Sequence, residues 1–593
     1  MLKGLRSKFF SILVNRKVLQ WLPFFWVIIF LVIPILFLTF SPFITVSLNG
    51  TVSSNENIVF DLNLENISKI FNSNYFECIF ETLTLSIFSS ILATILGFYL
   101  AYFAAFLRGK TIYLVVLIVV LAFLINPIIQ FKAIENLLSS NGLLNTFLQS
   151  KGIIHSPFII SDFWLIALGL IYRYIPIVFF FTILPLRNTD LSLIESALDL
   201  GANRFYIYRK VIIKGAFKNI VVAFSIIFLL CIGNISTAIT SNIHNKLFTG
   251  IIFDNFVVMP QYSLISNYLF PLCILTFLLI AAFNLYFNKN IKKLYSTGYK
   301  KISKYKCISI GKEPIATLIS VTVLTFFVIM ILNLILFSFN KGISNAIHTG
   351  FSLKWYSQIF ADETIITASK NTFTVSVFAA TIATILGSML AISASKYKDL
   401  NNQLDFYKHS FFKFIRFPFF ISEILFGMAF AVTANYLGLS YNVILATIFL
   451  SVFCLFFATV LIYTQIQDLD MNIEGTSLDL GANYIQTFLL ITLPTIRPII
   501  TSCFLLTFVF IFNEFTIMYL IFGGDFVLLS PKLLELANSS GLMFNALSTM
   551  ILAISILVLI TSNIFYYYNK WNIRIKNCLI ILMLLFSFIF LFI

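Results

Sequence analysis

The chain has 593 residues, of which 60% are hydrophobic and only 11% are charged. Soluble globular domains are about half apolar and about a quarter charged, so this composition, with a mean hydropathy of +0.97, excludes an ordinary soluble protein. The net charge of +15 does not indicate nucleic-acid binding, because the basic residues are concentrated in short segments between apolar runs. We therefore predict an all-α polytopic membrane protein.

Apolar runs long enough to cross a bilayer follow one another along the chain. The first follows a basic start at residues 1–17 and is too long for a cleaved signal peptide, so we interpret it as an uncleaved span. A linker with eight lysines, residues 288–313, separates six predicted spans from six more. A last apolar stretch, residues 578–593, is marginal in length for a thirteenth span. The predicted spans are 18–40, 77–106, 111–131, 162–185, 219–240 and 263–287, then 314–338, 371–394, 417–437, 441–463, 498–520 and 546–568.

The lysines and arginines between the spans predict the orientation of the chain. Segments on the same side as the N-terminus contain 30 of them, and segments on the opposite side contain eight. Because short cytoplasmic loops are enriched in Lys and Arg, we place the N-terminus in the cytoplasm. The basic excess then reflects membrane topology, and no nucleic-acid partner is expected.

A six-residue sequence, Leu-Asp-Leu-Gly-Ala-Asn, occurs at residues 198–203 and again at residues 478–483. Both copies lie between long apolar runs, on the predicted cytoplasmic side. Ser192 and Glu195 have capping-box spacing for a short helix, which Gly201 can end in the left-handed conformation. Each copy therefore predicts a short amphipathic helix outside the membrane, suited to docking on a two-fold partner.

Similarity between the two parts of the chain extends beyond the hexamer. Residues 82–86 and 93–97 match residues 372–376 and 383–387 at an offset of 290, whereas the hexamers are offset by 280. Such fixed offsets indicate a duplication. Because six spans separate the copies, the two repeats are parallel and related by an axis along the membrane normal. The predicted units are a first half at 1–287, a cytoplasmic linker at 288–313, a second half at 314–570 and an apolar tail at 571–593.

The sequence around the hexamers resembles the EAA loop of ABC importer permeases. That pattern is Glu-Ala-Ala, three residues, Gly, nine residues, then Ile-x-Leu-Pro. The first copy has Glu195, Ala197 and Gly201 but departs from the pattern at its end. The second copy has Gly475-Thr-Ser477 at the front, with Glu474 one place early, and a complete Ile491-x-Leu493-Pro494 at the back.

This resemblance implies a type I ABC importer permease of the bacterial inner membrane, with about 12 transmembrane helices as two parallel six-helix repeats. It also implies two ATP-binding cassette subunits beneath the loops and a periplasmic solute-binding protein outside. The fused pair is similar to single-chain permeases for ferric iron or thiamine, which favours those solutes, and a phosphonate or a polyamine stays open as the cargo. The coupling role then belongs to Glu195, Ala197, Leu198, Asp199, Gly201, Ala202, Glu474, Leu478, Asp479, Gly481, Ala482 and Pro494.

The chain contains no phosphate-binding loop of its own. The nearest approach, Gly109-Lys110-Thr111, has an alanine at residue 104 where the motif needs its first glycine. We therefore expect a membrane subunit that is not an enzyme, has no cofactor and depends on separate ATPase chains. The main alternative is an ion-coupled secondary transporter with 6+6 repeats, which would normally need more titratable groups inside its spans. A membrane-embedded enzyme or scaffold is a third possibility, and no catalytic constellation supports it.

Arg173, Glu423 and Glu514 are ionisable residues within predicted spans. Charges at that depth mark either a pathway or an internal pair. For Arg173 we favour an ion-paired role in helix packing over a place in the translocation pathway. For Glu514, in a segment similar to the Gly-Glu-Phe of the iron and thiamine branch, we favour gating or packing over contact with the solute.

Histidines and cysteines do not form recognisable sites in the sequence. His155, His244 and His348 fall in predicted outer loops without ligand spacing, so no metal site is predicted. The seven cysteines have no CxxC spacing and are interpreted as small buried hydrophobes. Pro127 and Pro176 are expected to kink their helices.

Overall fold

The fold is almost entirely helical in the part of the chain that the computed structural model describes, which confirms the predicted all-α class. One short antiparallel ladder pairs Thr45 with Val59 and Val46 with Ile58. The described residues are 16–40, 45–46, 58–59, 73–107, 110–140, 142–187, 189, 191–236, 247–257, 269, 272–278, 314–342, 349–396, 421–439, 442–466, 472–521 and 526–567. The predicted linker at 288–313 and the tail at 571–593 lie outside them.

The helices form an N-terminal set and a C-terminal set. The N-terminal set is α1 (Arg16–Val27), α2 (Ile33–Phe40), α3 (Ser73–Ala105), α4 (Lys110–Leu124), α5 (Pro127–Leu138), α6 (Leu143–Ser150), α7 (Asp162–Arg187), α8 (Leu191–Asp199), α9 (Arg204–Ile207), α10 (Lys214–Ile232) and α11 (Phe248–Val257). The C-terminal set is α12 (Pro314–Ser338), α13 (Lys354–Ala361), α14 (Glu363–Lys396), α15 (Glu423–Tyr436), α16 (Val443–Ile466), α17 (Asn472–Asp479), α18 (Tyr484–Thr487), α19 (Leu493–Phe512), α20 (Thr516–Ile521), α21 (Leu529–Ser539) and α22 (Gly541–Tyr567). Three π-helical segments, Ile28–Val32, Tyr208–Ile213 and Phe488–Thr492, join consecutive helices.

Nine helices within the described ranges are long and apolar enough to cross a membrane, and a bent pair is a tenth candidate. They correspond to ten of the twelve predicted spans. Of the other two, the span predicted at 417–437 is described as the shorter helix α15, and most of the span predicted at 263–287 lies outside the described residues.

The span predicted at 111–131 is wrong as a single helix, because the chain turns between Leu124 and Pro127 by more than 40°. The side chain of Asn126 accepts a hydrogen bond of 3.0 Å from the N–H of Ile128 and so caps α5. Proline is favoured in the first turn of a helix, where no amide donor is needed. The kink expected at Pro127 is therefore a helix start, whereas α7 runs through Pro176 without a break.

The first helices of each set pack against the other set. α1 and α2 contact α14 and α15, whereas α12 contacts α3, α4 and α5. The indole N–H of Trp26 donates to Ser451 Oγ at 3.3 Å, and the hydroxyl of Ser320 donates to the carbonyl of Tyr99 at 3.1 Å. The two sets are thus interlocked rather than merely side by side.

The repeated glycines mark the same close helix contact in both sets. A Cβ atom at Gly97 of α3 would lie 2.6 Å from Val178 Cβ of α7. A Cβ atom at Gly387 of α14 would lie 3.0 Å from Ala458 Cβ of α16. Since Val178 and Ala458 are separated by the same 280 residues as the hexamers, the α3–α7 and α14–α16 pairs are equivalent.

The repeated threonines also make equivalent hydrogen bonds. The hydroxyl of Thr82 accepts from the N–H of Phe248 at 2.9 Å, at the start of α11. The hydroxyl of Thr372 accepts from the N–H of Leu529 at 2.8 Å, at the start of α21. Each bond fixes a short helix to a long span at the same place in its set.

Candidate functional site

The two hexamers lie in segments with the same succession of elements, which we name the first repeat segment (191–213) and the second repeat segment (472–492). Each consists of a short helix, a turn at the hexamer, a four-residue helix and a π-helical segment. Each then continues directly into a long span, α10 or α19.

The turn of the first repeat segment is closed by its glycine. Gly201 has a φ of +79°, and its N–H donates to the carbonyl of Leu198 at 2.9 Å. The N–H of Ala202 donates to the carbonyl of Ala197 at 3.0 Å, which completes a Schellman motif. The left-handed end predicted for this helix is confirmed. The helix begins at Leu191, so Ser192 lies inside its first turn and not at the predicted N-cap position.

The second repeat segment turns in the same way. Gly481 has a φ of +86°, and the N–H of Ala482 donates to the carbonyl of Ser477 at 3.2 Å. A reciprocal capping pair follows, in which Asn483 Oδ1 accepts from the N–H of Gln486 at 2.9 Å and Gln486 Oε1 accepts from the N–H of Asn483 at 3.0 Å. The last residue of the hexamer thus starts the next helix.

Asn203 has the corresponding role in the first repeat segment, where its side chain accepts from the N–H of Tyr206 at 2.8 Å. Sequence reasoning did not assign Asn203 or Asn483 a function. The available signal was an asparagine, a favoured N-cap residue, two places after the glycine that ends the preceding helix.

The most exposed large hydrophobic side chains in the described parts of both segments are leucines at the same hexamer position. Leu200 and Leu480 are each 88% exposed, and Leu198 is 46% exposed. Isolated exposed leucines are common on protein surfaces, but the same exposure in two equivalent turns is not accidental. Asp199 and Asp479 are also exposed beside them.

Other predicted coupling residues face the protein itself or lie where only the backbone is described. Ala197 and Ala202 pack against the hydrophobic core of the N-terminal set. Ala482 is half-buried, and Pro494 is exposed in the first turn of α19. The backbones of Glu195, Glu474 and Leu478 lie in the short helices, as predicted, and their side chains are outside the described part of the chain.

A second polar group lies between the two sets, deep within the spans. Arg173 Nη2 of α7 is 3.1 Å from Glu423 Oε1 at the start of α15. Glu423 Oε2 accepts a hydrogen bond of 3.0 Å from Thr516 Oγ1. The interpretation of Arg173 as an ion-paired residue at a helix contact agrees with this geometry. The sequence did not indicate that Glu423 would be its partner.

Glu514 lies close to Thr516 in the chain and is 6% exposed. Its carboxylate accepts hydrogen bonds from the N–H of Ile517, at 3.0 and 3.1 Å, and from the N–H of Met518 at 3.1 Å. These bonds satisfy the amides at the start of α20. We name Arg173, Glu423, Glu514 and Thr516 the seam cluster.

The ends of α10 and α19 meet the other set in equivalent places. Asn126 Nδ2, before α5, donates to the carbonyl of Asn513 at 3.1 Å, just after α19. Gly233, just after α10, lies against Ser422, before α15, so closely that a Cβ there would be 2.3 Å from Ser422 Cβ. Each repeat segment is thus connected by one continuous helical path to a contact between the sets.

Residues 383–575 match the protein family described as "Binding-protein-dependent transport system inner membrane component". This C-terminal part of the chain resembles that family. The match and the succession of apolar helices indicate that the chain is a multi-pass inner membrane protein with the type I permease fold. The description of this family names a binding protein as the partner on which transport depends.

Individual relatives are shorter than this chain. It is 28% identical over 253 residues to the putrescine transport system permease protein PotI of Escherichia coli (strain K12), covering 41% of this chain and 88% of PotI. It is 27% identical over 243 residues to the spermidine/putrescine transport system permease protein PotC of Haemophilus influenzae, covering 41% of this chain and 92% of PotC. The crystal structure of a bacterial ABC transporter involved in the import of the acidic polysaccharide alginate matches with 17% identity and a TM-score of 0.36, over 45% of this chain and 92% of that chain.

Within the described ranges, the histidine that we can place, His155, takes no part in either polar region. His155 is exposed between α6 and α7, and His244 and His348 lie outside the described residues. Within the described ranges, no three His, Cys, Asp or Glu side chains are grouped so that they could hold a metal ion.

Proposed function

We propose that the chain is an ABC importer permease with two homologous halves, residues 1–287 and 314–570, joined by the basic linker at 288–313. The equivalent glycine and threonine contacts of α3 and α14 support this division. So does the length of the relatives, since nearly all of PotI or PotC aligns with less than half of the chain. With both halves in one polypeptide, the pore needs no second permease subunit.

The two repeat segments are the surfaces that bind separate ATPase subunits on the cytoplasmic side. The observation that supports this is the equal, nearly complete exposure of Leu200 and Leu480 on two turns of the same geometry. Leu198 extends the apolar contact of the first segment, and Asp199 and Asp479 are placed to meet basic groups of the ATPase. The N-terminus is then cytoplasmic, on the same side as both segments.

Movement of the ATPase dimer reaches the pore through rigid connections. Backbone angles stay helical at Ile207, just before the π-helical segment, and at Ile213, its last residue before α10. The same holds at Thr487 and Leu493 on the way to α19. Closing the ATPase dimer would therefore tilt α10 and α19 and shift the contacts of Gly233 and Asn513 with the other half, giving alternating access.

The cargo that we propose is a polyamine, delivered by a periplasmic solute-binding protein. The support is the similarity to permeases named for putrescine and spermidine. The ferric iron or thiamine favoured by the fused architecture has no support from these relatives. Glu514, which we expected to gate or pack, caps α20 and so fits a packing role.

The coupling proposal is tested by placing a charge on each exposed leucine. Leu200→Asp and Leu480→Asp would each remove about 2 kcal/mol of apolar contact and so weaken ATPase binding about thirtyfold. The double variant should lose ATP-dependent uptake in proteoliposomes while its amount in the membrane is unchanged. Leu353→Asp is the matched control, because Leu353 is 66% exposed on the predicted outer side.

Two results would contradict the coupling proposal. One is normal co-purification of ATPase subunits with the Leu200→Asp/Leu480→Asp variant. The other is labelling of Leu200→Cys or Leu480→Cys by a membrane-impermeant thiol reagent added outside intact cells. The cargo is tested separately, by uptake of radiolabelled putrescine and spermidine with thiamine and ferric iron as competitors.

A further inference from the structure

The seam cluster is richer in negative than in positive groups. It contains two carboxylates, Glu423 and Glu514, and one guanidinium, Arg173. Arg173 and Glu423 keep side-chain exposures of 16% and 13%, so neither is sealed inside a helix bundle. Arg173 Nε is buried and has no hydrogen-bond partner in the described part of the chain. The Arg173–Glu423 pair is therefore only partly enclosed by the surrounding helices.

The equivalent positions in the other half show that these charges are not needed to join the halves. At the offset of 280, Phe453 of α16 corresponds to Arg173, and Asn234 corresponds to Glu514. Pro127 corresponds to Glu423 by its place in the contact. Asn126 and Ser422 each touch the other half just before a helix begins, and Pro127 and Glu423 are the residues that follow them. The second copy of this contact thus forms with a phenylalanine, a proline and an asparagine. A buried ion pair adds little net stability over apolar packing, so packing alone does not account for the three charges.

Aromatic rings continue from the seam cluster along the same face of α7. Phe180 lies two turns beyond Arg173, about 10 Å along the helix. Its ring is 5.8 Å from Phe123, which is 6.0 Å from Phe510 of the other half. Phe510 is in turn 6.0 Å from Phe453 and 5.2 Å from Phe457.

These five rings, which we name the ring cluster, are half-buried and bridge the two halves. Phenylalanine faces attract ammonium groups and provide apolar surface for a methylene chain. Arg173, the partner of the Glu423 carboxylate, and Phe180 of the ring cluster are about 10 Å apart along α7. A carboxylate in the same region as aromatic faces is complementary to a flexible molecule with ammonium groups at both ends of a hydrocarbon chain.

We infer that Glu423 binds an ammonium group of the cargo, with the ring cluster receiving the methylene chain and the second ammonium. This inference rests on the proposed polyamine cargo and names its binding site. Without cargo, the guanidinium of Arg173 forms an ion pair with the carboxylate of Glu423. An entering ammonium displaces the guanidinium, so Arg173 competes with the cargo rather than binding it.

The test compares neutral variants of the two partners in uptake of radiolabelled putrescine. Glu423→Gln keeps the shape and the hydrogen bond to Thr516 but removes the charge, and should raise KM roughly 10- to 100-fold. Arg173→Gln removes the competitor and should lower KM. Glu423→Asp keeps the negative charge on a shorter side chain, so its KM should lie between those of the wild type and Glu423→Gln.

A double variant, Arg173→Gln/Glu423→Gln, guards against loss of folding, since replacing both members of a buried pair leaves no lone charge. It should fold, assemble with the ATPase and still show the high KM of Glu423→Gln. Equal KM values for wild type and the double variant would overturn the inference. So would loss of putrescine uptake in Arg173→Gln with normal uptake in Glu423→Gln, which would indicate an anionic cargo. If the wild-type chain with coupled ATPase activity takes up no polyamine, the proposed cargo fails as well.

Discussion

The two repeat segments have the same backbone but are held by different side chains. In the first, Ala197 packs on the hydrophobic core to which buried Ile207 also belongs. In the second, the equivalent residues Ser477 and Thr487 are joined by a hydrogen bond of 3.0 Å between their hydroxyls. The turn geometry is thus preserved while the interior contact has changed from apolar to polar. We infer that selection has acted on the shape and on the exposed leucine more than on the residues beneath.

The helices of the two segments also differ in intrinsic strength. The second contains Gly475, which costs about 0.5–1 kcal/mol relative to alanine within a helix. The first has Glu195 at that place, a good helix former. The half with the weaker helix has the fuller set of turn residues after it, since Asn483 and Gln486 cap each other there. The lower helix propensity of α17, before the turn, is offset by the stronger capping of α18 after it.

The largest effect is expected from valine at the two turn glycines. A β-branched residue in the left-handed region costs on the order of 1–3 kcal/mol, which would open either turn. Because a Cβ at Gly201 or Gly481 meets no atom within 4 Å, the rest of the bundle should fold normally. Gly201→Val and Gly481→Val should therefore each reduce ATP-driven uptake about tenfold or more without reducing the amount of protein in the membrane.

Gly215→Val is the matched control for these variants. Gly215 lies in α10 with equally open surroundings but without a positive φ. Uptake should stay near the wild-type rate in that variant. If only Gly201→Val impaired uptake, the two segments would not couple equally, and the comparison drawn from their backbones would be broken.

A smaller effect is expected from the hydrogen bond that distinguishes the second segment. Ser477→Ala leaves the buried hydroxyl of Thr487 without that partner, which costs about 1 kcal/mol. The amide of Ala482 should then exchange with solvent about fivefold faster, while the amide of Ala202 should be unaffected. Hydrogen exchange followed by mass spectrometry measures both amides in one experiment.

Thr476→Ala is the control for this variant, since the hydroxyl of Thr476 is exposed and bonds only to Ile473 of its own helix. Its exchange rates should match those of the wild type. Equal acceleration in both variants would show that the hydroxyl pair does not hold the segment.

Local features of this fold were predictable because they depend on residues close in sequence. A glycine after a short polar helix predicts a left-handed end, and both Gly201 and Gly481 have one. The start of α5 was missed although Asn126 and Pro127 form a helix-start signal. The uninterrupted apolar composition of residues 111–131 suggested one span, and hydropathy does not register a capping side chain.

The seam cluster shows what local patterns cannot predict. Arg173 and Glu423 are 250 residues apart and belong to different halves. Their contact depends on how α7 and α15 meet, which is set by the packing of the whole bundle. Sequence periodicity predicts that a charge lies in a span and gives no information about the helix that it faces. The half-buried position of the ring cluster is unpredictable for the same reason.

The smallest expected effect concerns the start of α14, where the halves differ in charge. Asp362 Oδ1 accepts hydrogen bonds from the hydroxyl of Thr364 at 2.7 Å and from its N–H at 2.9 Å. These bonds lower the pKa of Asp362 below its ordinary value of 3.8. At the offset of 290, the first half has Asn72, which does not titrate.

A carboxyl group with a lowered pKa stabilises the folded state above its ordinary pKa, and that stabilisation is lost as pH falls through the lowered value. The amides of Thr364 and Ile365 should therefore exchange faster relative to the intrinsic rate below about pH 4, where the N-cap bond weakens. Asp362→Asn should abolish the pH dependence and keep most of the cap, whereas Asp362→Ala should cost about 1 kcal/mol near neutral pH and less below about pH 4. If the pH dependence persisted in Asp362→Asn, another group would be titrating, and this difference between the halves would not arise from the cap.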